Sequence, residues 1–178
     1  MKSPEHDPAA TKTACACIAD EDPASLVQLS AEAASALIRG DIDTYLTLIR
    51  HTSDYTLMAP FGGAPTRGFD KSPDRLAQLG LYFQGGKAEL ELVQSYVTPG
   101  MVVIAAIERQ HGKIGGLPEQ DWSLRVTLVF RHEDSGWRLA HRHADPLVHE
   151  IGLEQAAGIA RGKQASHTVN EPGGSECK

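Results

Sequence analysis

The chain has 178 residues, of which 41% are hydrophobic and 22% are charged, and its formal net charge is -6. This length predicts a single domain with a core of its own. The acidic balance argues against a nucleic-acid-binding surface, which needs a basic stripe, and no apolar run approaches the roughly 20 residues that span a bilayer. Early acidic residues and the lack of a long apolar run argue against a secretory signal, so we expect a cytoplasmic protein without a membrane partner.

The two ends of the chain differ in composition from the middle. Residues 1–22 and 163–178 lack hydrophobic periodicity, so we expect both to be disordered or loosely docked around a folded domain at 23–162. The three cysteines all lie near the ends: Cys15, Cys17 and Cys177. No His or Cys partner follows them at zinc-site spacing, so we predict neither a bound metal nor a cofactor.

Helices dominate the first half of the predicted domain. Apolar residues recur at helical spacing from Leu26 to Leu37, and Arg39-Gly40 ends the run. Asp41 is a suitable N-cap for a second, short helix. A β-rich run at 54–61 follows. A third helix is then predicted to begin with Ser72-Pro73 as N-cap and first residue, to run to about Phe83 and to be stopped by Gly85-Gly86.

Strands dominate the second half, and short turns between successive strands favour antiparallel pairing. Helices segregated from strands indicate an α+β fold, in which a twisted sheet curls around the N-terminal helices and its concave side becomes a pocket. A loop is predicted from Gly112 to Asp121, a hairpin turn from Glu133 to Gly136, and a short helix from about Leu153 to Ala160. The predicted strands are 89–98, 101–111, 122–132 and 137–145.

Two stretches carry a family resemblance. Arg125 to Asp145 contains Arg-Val-Thr, Gly-Trp and His-X-His, and Leu37 to Leu46 has the order helix, Gly-Asp, helix. Over roughly 24–150 the chain resembles SnoaL-like, ketosteroid-isomerase-like proteins of the nuclear-transport-factor-2-like superfamily, and the association domain of calcium/calmodulin-dependent kinase II. The resemblance implies a cone-shaped, curved antiparallel sheet, a deep pocket, and a homodimer through the outer face of the sheet.

The last strand holds the strongest candidate site residues. Strand alternation places Trp137, Leu139, His141, His143 and Asp145 on one face. Because the first two are apolar, we expect that face to be the inner one, so that both histidines point into the pocket. There they could act as acid, base or ligand-binding groups. The alternative is a pair of core histidines bonded to backbone or tyrosine hydroxyls.

The orientation of Arg125 is open. Alternation along its strand places Trp122 inside and Arg125 outside, whereas the likeness to the kinase association domain implies an arginine inside the pocket. An inward Arg125 would bind an anion such as a carboxylate. An outward one is a solvated or dimer-interface charge.

Further candidates lie on two other strands. Glu108 shares a face with Val102 and Ile104, so it is either a buried carboxylate base or a strand-end charge near water. Tyr55 is a candidate hydrogen-bond donor in the pocket, and Met58 a candidate apolar ligand contact.

The functional hypothesis is a small-molecule-binding domain with a mostly apolar pocket, whose polar end is made by His143, His141 and either Arg125 or Tyr55. As an enzyme it would catalyse a cofactor-free acid–base reaction of the isomerase, cyclase or hydratase type on a carbonyl-containing substrate, using a histidine or Glu108. The rival is a non-catalytic dimeric module that binds a ligand or a protein. A third reading, a transition metal on the two histidines, needs a carboxylate alongside.

Overall fold

The structure is a computed structural model that describes residues 25–162. The expectations for 1–22 and 163–178, and all three cysteines, lie outside the described residues. The described chain divides into two compact units after Leu147. The helices are α1 (Ser25–Ile38), α2 (Ile42–Leu48), α3 (Pro73–Tyr82) and α4 (Leu153–Ala160). The strands are β1 (His51–Met58), β2 (Thr66–Arg67), β3 (Phe83–Thr98), β4 (Met101–Ile114), β5 (Gln120–Asp121), β6 (Leu124–Glu133) and β7 (Gly136–Pro146).

The helix boundaries follow the predicted capping signals. The Asp41 carboxylate accepts a hydrogen bond from the Thr44 amide at 3.1 Å, which confirms it as the N-cap of α2. Pro73 is the first residue of α3, as predicted. In the second unit α4 follows Gly152. No helix within residues 25–162 is long and apolar enough to cross a membrane.

Six strands form one curved sheet in the order β2-β1-β7-β6-β4-β3, and β5 pairs with β4. The α+β class is confirmed. The antiparallel pairing of the long strands is confirmed, and β1 adds one parallel pairing, with β7, so that the sheet is mixed. Strand β1, which comes from the helical half of the chain, thus lies next to β7 and continues the sheet on that side. The sheet does not close, since β2 and β3 lie at opposite edges.

The long hairpin of β3 and β4 extends further than predicted. The third helix ends at Tyr82, close to its predicted end, but Gly85-Gly86 does not interrupt the chain, because β3 begins at Phe83 and passes through both glycines. A side chain at Gly86 would place its Cβ 2.2 Å from the His111 carbonyl oxygen, so glycine permits the close pairing with β4. Strand β4 likewise continues through Gly112, where a loop was expected.

The core lies between the inner face of the sheet and helices α1 and α2. The alternation predicted for β6 is confirmed, since its inward residues are buried and the intervening residues are more exposed. The same period holds along β4. Its inward-facing, buried positions include Val102, Ile104, Ala106, Glu108, Gln110 and Ile114.

A β-bulge in β7 reverses the predicted orientation of the two histidines. Phe130 of β6 pairs with Leu139, but the preceding Val129 pairs with His141, so Ala140 is an extra residue in β7. An extra residue shifts the alternation by one, so all later side chains change face. Trp137 and Leu139 are buried inside as expected. The inward placement of His141 and His143 is wrong, and Arg142 takes the inner position.

Candidate ligand-binding site

The first unit contains a cavity of about 480 Å³ between the helices and the inner face of the sheet. That volume lies within the range of small-molecule sites. Its wall is mainly apolar and aromatic, and polar side chains gather where the strands β1, β4 and β7 contribute to it. The lining includes Ala34, Leu37, Tyr45, Tyr55, Leu57, Phe61, Phe69, Leu79, Tyr82, Gln110, Trp122, Leu124 and Arg142.

The polar end of the cavity is built on a buried ion pair. The Nη1 and Nη2 atoms of Arg142 donate to Oε1 and Oε2 of Glu108 at 2.6 and 2.7 Å. Gln110 donates from Nε2 to the same Oε2 at 2.6 Å. Glu108 is only 1% exposed. This supports the buried alternative for Glu108 over that of a strand-end charge near water.

The electrostatics of the pair keep Arg142 charged. Burial opposes the positive charge of Arg142, but the carboxylate of Glu108 outweighs it and raises the pKa of the guanidinium. An arginine has five N–H donors, and Glu108 accepts two of them. A small cavity of about 40 Å³, which Glu108, Arg142 and Tyr45 help to line, adjoins this end and has room for an ordered water.

An aromatic cluster continues the polar end toward β1. The hydroxyl of Tyr45 lies 3.0 Å from Nε2 of His51, whose ring stacks on Phe69 at a centroid distance of 4.1 Å. Burial, with a contribution from Lys71, lowers the pKa of His51 to about 4. The ring is therefore neutral near pH 7, and its Nε2 can accept a hydrogen bond from the Tyr45 hydroxyl.

Tyr55 contributes a hydroxyl that faces the cavity. The residue is 3% exposed, and burial raises its pKa to about 12, so it stays protonated as a hydrogen-bond donor. Within residues 25–162 no hydrogen bond to this hydroxyl contributes to its pKa, and Tyr55 lines the cavity. The geometry supports the predicted placement of Tyr55 in the pocket.

Three aromatic side chains from separate segments meet at another part of the cavity wall. The ring of Phe61 makes edge contacts with Tyr82 and Trp122, each at a centroid distance of 6.3 Å. Phe61 is 59% exposed, so this part of the wall opens to solvent. Trp122 donates from Nε1 to the carbonyl of Gly112 at 3.1 Å, which fixes its indole against β4.

The outer face of the sheet carries the other predicted polar residues. His143, Asp145 and Arg125 line a shallow depression of about 280 Å³, away from the inner cavity. His143 Nε2 lies 3.5 Å from Asp145 Oδ2, and His141 Nδ1 lies 2.7 Å from the Thr56 hydroxyl. Arg125 thus faces outward, as the alternation of side chains along its strand predicted. Across the described residues, no group of three His, Cys, Asp or Glu side chains is arranged to hold a metal ion.

Two more predicted contacts lie away from the inner cavity. Met58 pairs in register with His143 and is exposed on the outer side of β1. Trp137 is buried, with its ring 5.0 Å from His132, and does not line the cavity.

Sequence reasoning missed Arg142, although a usable signal existed. Glu108 was placed on the inner face by alternation, and a buried carboxylate requires a cationic partner.

Comparison with known proteins places this geometry in a family context. Residues 26–148 match the SnoaL-like domain family. A search of curated proteins finds no match.

Solved structures share the fold at low identity. A candidate dehydratase of the nuclear-transport-factor-2-like family from Streptomyces avermitilis is 20% identical, with a TM-score of 0.54, over 72% of this chain and 100% of that one. A cystatin-like domain of unknown function from Nostoc punctiforme is 13% identical, with a TM-score of 0.57, over 82% and 88%. The calcium/calmodulin-dependent kinase II hub homology domain from Chlamydomonas reinhardtii is 18% identical, with a TM-score of 0.50, over 70% and 98%. Such likeness indicates a common fold.

Proposed function

The chain belongs to the SnoaL-like domain family, and from this premise we propose that it binds a small carbonyl-containing molecule in the inner cavity. The observation that carries the proposal is an apolar cavity of about 480 Å³ with hydrogen-bond donors at one end. Tyr55 offers a hydroxyl and Arg142 offers the N–H groups that Glu108 does not accept. A carbonyl oxygen placed between them would accept from both.

The same donors define the chemistry that the site could perform. A hydroxyl and a guanidinium directed at a carbonyl oxygen stabilise negative charge that develops there, as in enolate formation. Glu108 is the predicted general base that remains near the cavity, but its oxygens already accept three hydrogen bonds. His141 and His143 are on the outer face. We therefore favour ligand binding with polarisation of the carbonyl over proton abstraction.

The test uses 2-acetylnaphthalene, an apolar ketone, in calorimetric titrations. Leu57→Trp fills the cavity, because Leu57 is on its wall. Met58→Trp is the matched control, since the adjacent residue faces outward. We expect Leu57→Trp to weaken binding at least about tenfold and Met58→Trp to leave it within about twofold. Equal binding by all three proteins would place the ligand elsewhere and contradict the proposal.

We also propose that two copies associate through the outer face of the sheet. This face presents exposed apolar side chains on β3, including Val93 at 65% and Tyr96 at 61% exposure, beside the polar group of Arg125, His143 and Asp145. Val93 lines the same depression as that polar group, and exposed apolar residues rimmed by polar ones are typical of protein interfaces. Light scattering should give twice the chain mass of 19.2 kDa for the wild-type protein. The Tyr96→Glu variant should give the mass of a single chain. A monomeric wild-type protein at tens of micromolar would exclude the dimer.

A further inference from the structure

The charges around the polar end of the cavity compensate one another. Arg142 is paired with Glu108 through two hydrogen bonds, and Gln110 adds a neutral donor. Tyr45 and Tyr55 are protonated and His51 is neutral near pH 7, because burial raises the pKa of each tyrosine and lowers the pKa of the histidine. The inner end is therefore polar but carries no net charge.

One other cation contributes to the cavity wall in the described part of the chain. Arg75 of α3 is exposed to solvent, and it lies near Asp70, whose pKa its charge helps to lower. An exposed cation interacts weakly with an anion because water screens the charge. Arg75 thus gives an anionic ligand little stabilisation compared with the buried Arg142.

An anionic ligand would disturb this balance. Its carboxylate would compete with Glu108 for the guanidinium of Arg142, and two carboxylates would then share one cation in a site removed from water. Such an excess of buried charge is unfavourable. An uncharged carbonyl accepts from the remaining Arg142 N–H groups and from Tyr55 without adding charge.

We propose that the ligand carries an uncharged carbonyl group, such as a ketone, ester or amide, and that Glu108 determines this specificity by neutralising Arg142. The inference rests on the proposed ligand-binding function of the cavity. It goes further in excluding carboxylates, which an unpaired buried arginine would otherwise attract.

The experiment compares two isosteric probes. 2-Acetylnaphthalene and 2-naphthoate differ in a methyl group against a carboxylate oxygen, and the second is ionised near neutral pH. For the wild-type protein, calorimetry should show at least about tenfold tighter binding of the ketone. Glu108→Gln leaves Arg142 uncompensated and should shift the ratio of the two affinities at least about tenfold toward the carboxylate.

A neutral control separates charge from shape. Glu108→Gln combined with Arg142→Gln restores a site without net charge and should keep the preference for the ketone. If Glu108→Gln does not fold, the ratio of the two probe affinities in the wild-type protein and in the double variant still tests the inference. A wild-type protein that binds both probes equally, or binds 2-naphthoate more tightly, overturns the inference and leaves the cavity as a ligand site. If neither probe gives saturable binding up to millimolar concentration, the proposed function fails as well.

Discussion

Glu108 and Arg142 lie on strands separated by β6, and their side chains meet across the concave face in a bidentate ion pair with N–O distances of 2.6 and 2.7 Å. The pair links the middle of the sheet to its last long strand. It also supplies the polar end of the cavity. Stability and ligand recognition therefore depend on the same two residues.

Breaking the pair on one side should be more harmful than removing it. Arg142→Met leaves a buried, unpaired carboxylate, and we expect it to lower the free energy of unfolding by about 3–5 kcal/mol. Adding Glu108→Leu removes the stranded charge and should recover most of that loss. Urea denaturation of both variants measures the difference. A double variant no more stable than Arg142→Met alone would contradict this account of the pair.

The two cavity tyrosines should separate binding from stability. Tyr55→Phe removes a hydroxyl to whose pKa no hydrogen bond within 25–162 contributes, so it should weaken 2-acetylnaphthalene binding about fivefold or more while changing stability by less than about 0.5 kcal/mol. Tyr45→Phe removes the bond to His51 Nε2 and should cost about 1–3 kcal/mol of stability. Calorimetry and denaturation on both variants test the contrast, and a Tyr55→Phe protein that binds like wild type counts against the donor role.

His51 should make stability depend on pH. Its pKa is about 4 in the folded chain and about 6.5 when unfolded, so the unfolded state alone binds a proton between those values. The contribution of His51 is fully present above about pH 6.5 and is lost as the pH falls toward about 4, by about 3 kcal/mol in all. Carboxylates add acid sensitivity of their own, so the comparison is with His51→Phe, which should show a shallower decline. Parallel curves for the two proteins would rule out this role.

Two glycines with similar backbone angles should respond differently to alanine. Gly40 joins α1 to α2 at a φ of +76°, and a Cβ there would lie 2.3 Å from the Phe83 carbonyl oxygen. Gly63 has a φ of +88° but open space around it. We expect Gly63→Ala to cost about 1 kcal/mol from backbone strain and Gly40→Ala about 3 kcal/mol or more, since a clash with the start of β3 is added. Thermal and denaturant unfolding measure the stability of both variants. Equal losses of stability would contradict the predicted steric clash at Gly40.

Much of the architecture was predictable because local signals agreed with the packing. Asp41 and Pro73 marked the helix starts, and the alternation along β6 gave the correct faces. The hairpin turn after Glu133 was also correct. Each of these depends on residues that are neighbours in sequence.

The site was less predictable because one residue changed the register. Ala140 is the extra residue of a β-bulge that no residue type in the sequence indicates. Because of this bulge, Arg142 rather than His141 and His143 lies on the inner face. The parallel pairing of β1 with β7 likewise depends on contacts far apart in the chain. Only the need of a buried Glu108 for a cationic partner could have pointed to Arg142.

The two tryptophans allow the most direct test of ligand binding in the inner cavity. Trp122 lines the cavity and Trp137 does not, so their indole N–H signals in a ¹H–¹⁵N correlation spectrum report on different parts of the core. Trp122→Phe assigns the two signals. On titration with 2-acetylnaphthalene, the Trp122 signal should shift in a saturable way while the Trp137 signal stays in place. Saturable binding by calorimetry without a shift at Trp122 would contradict the account.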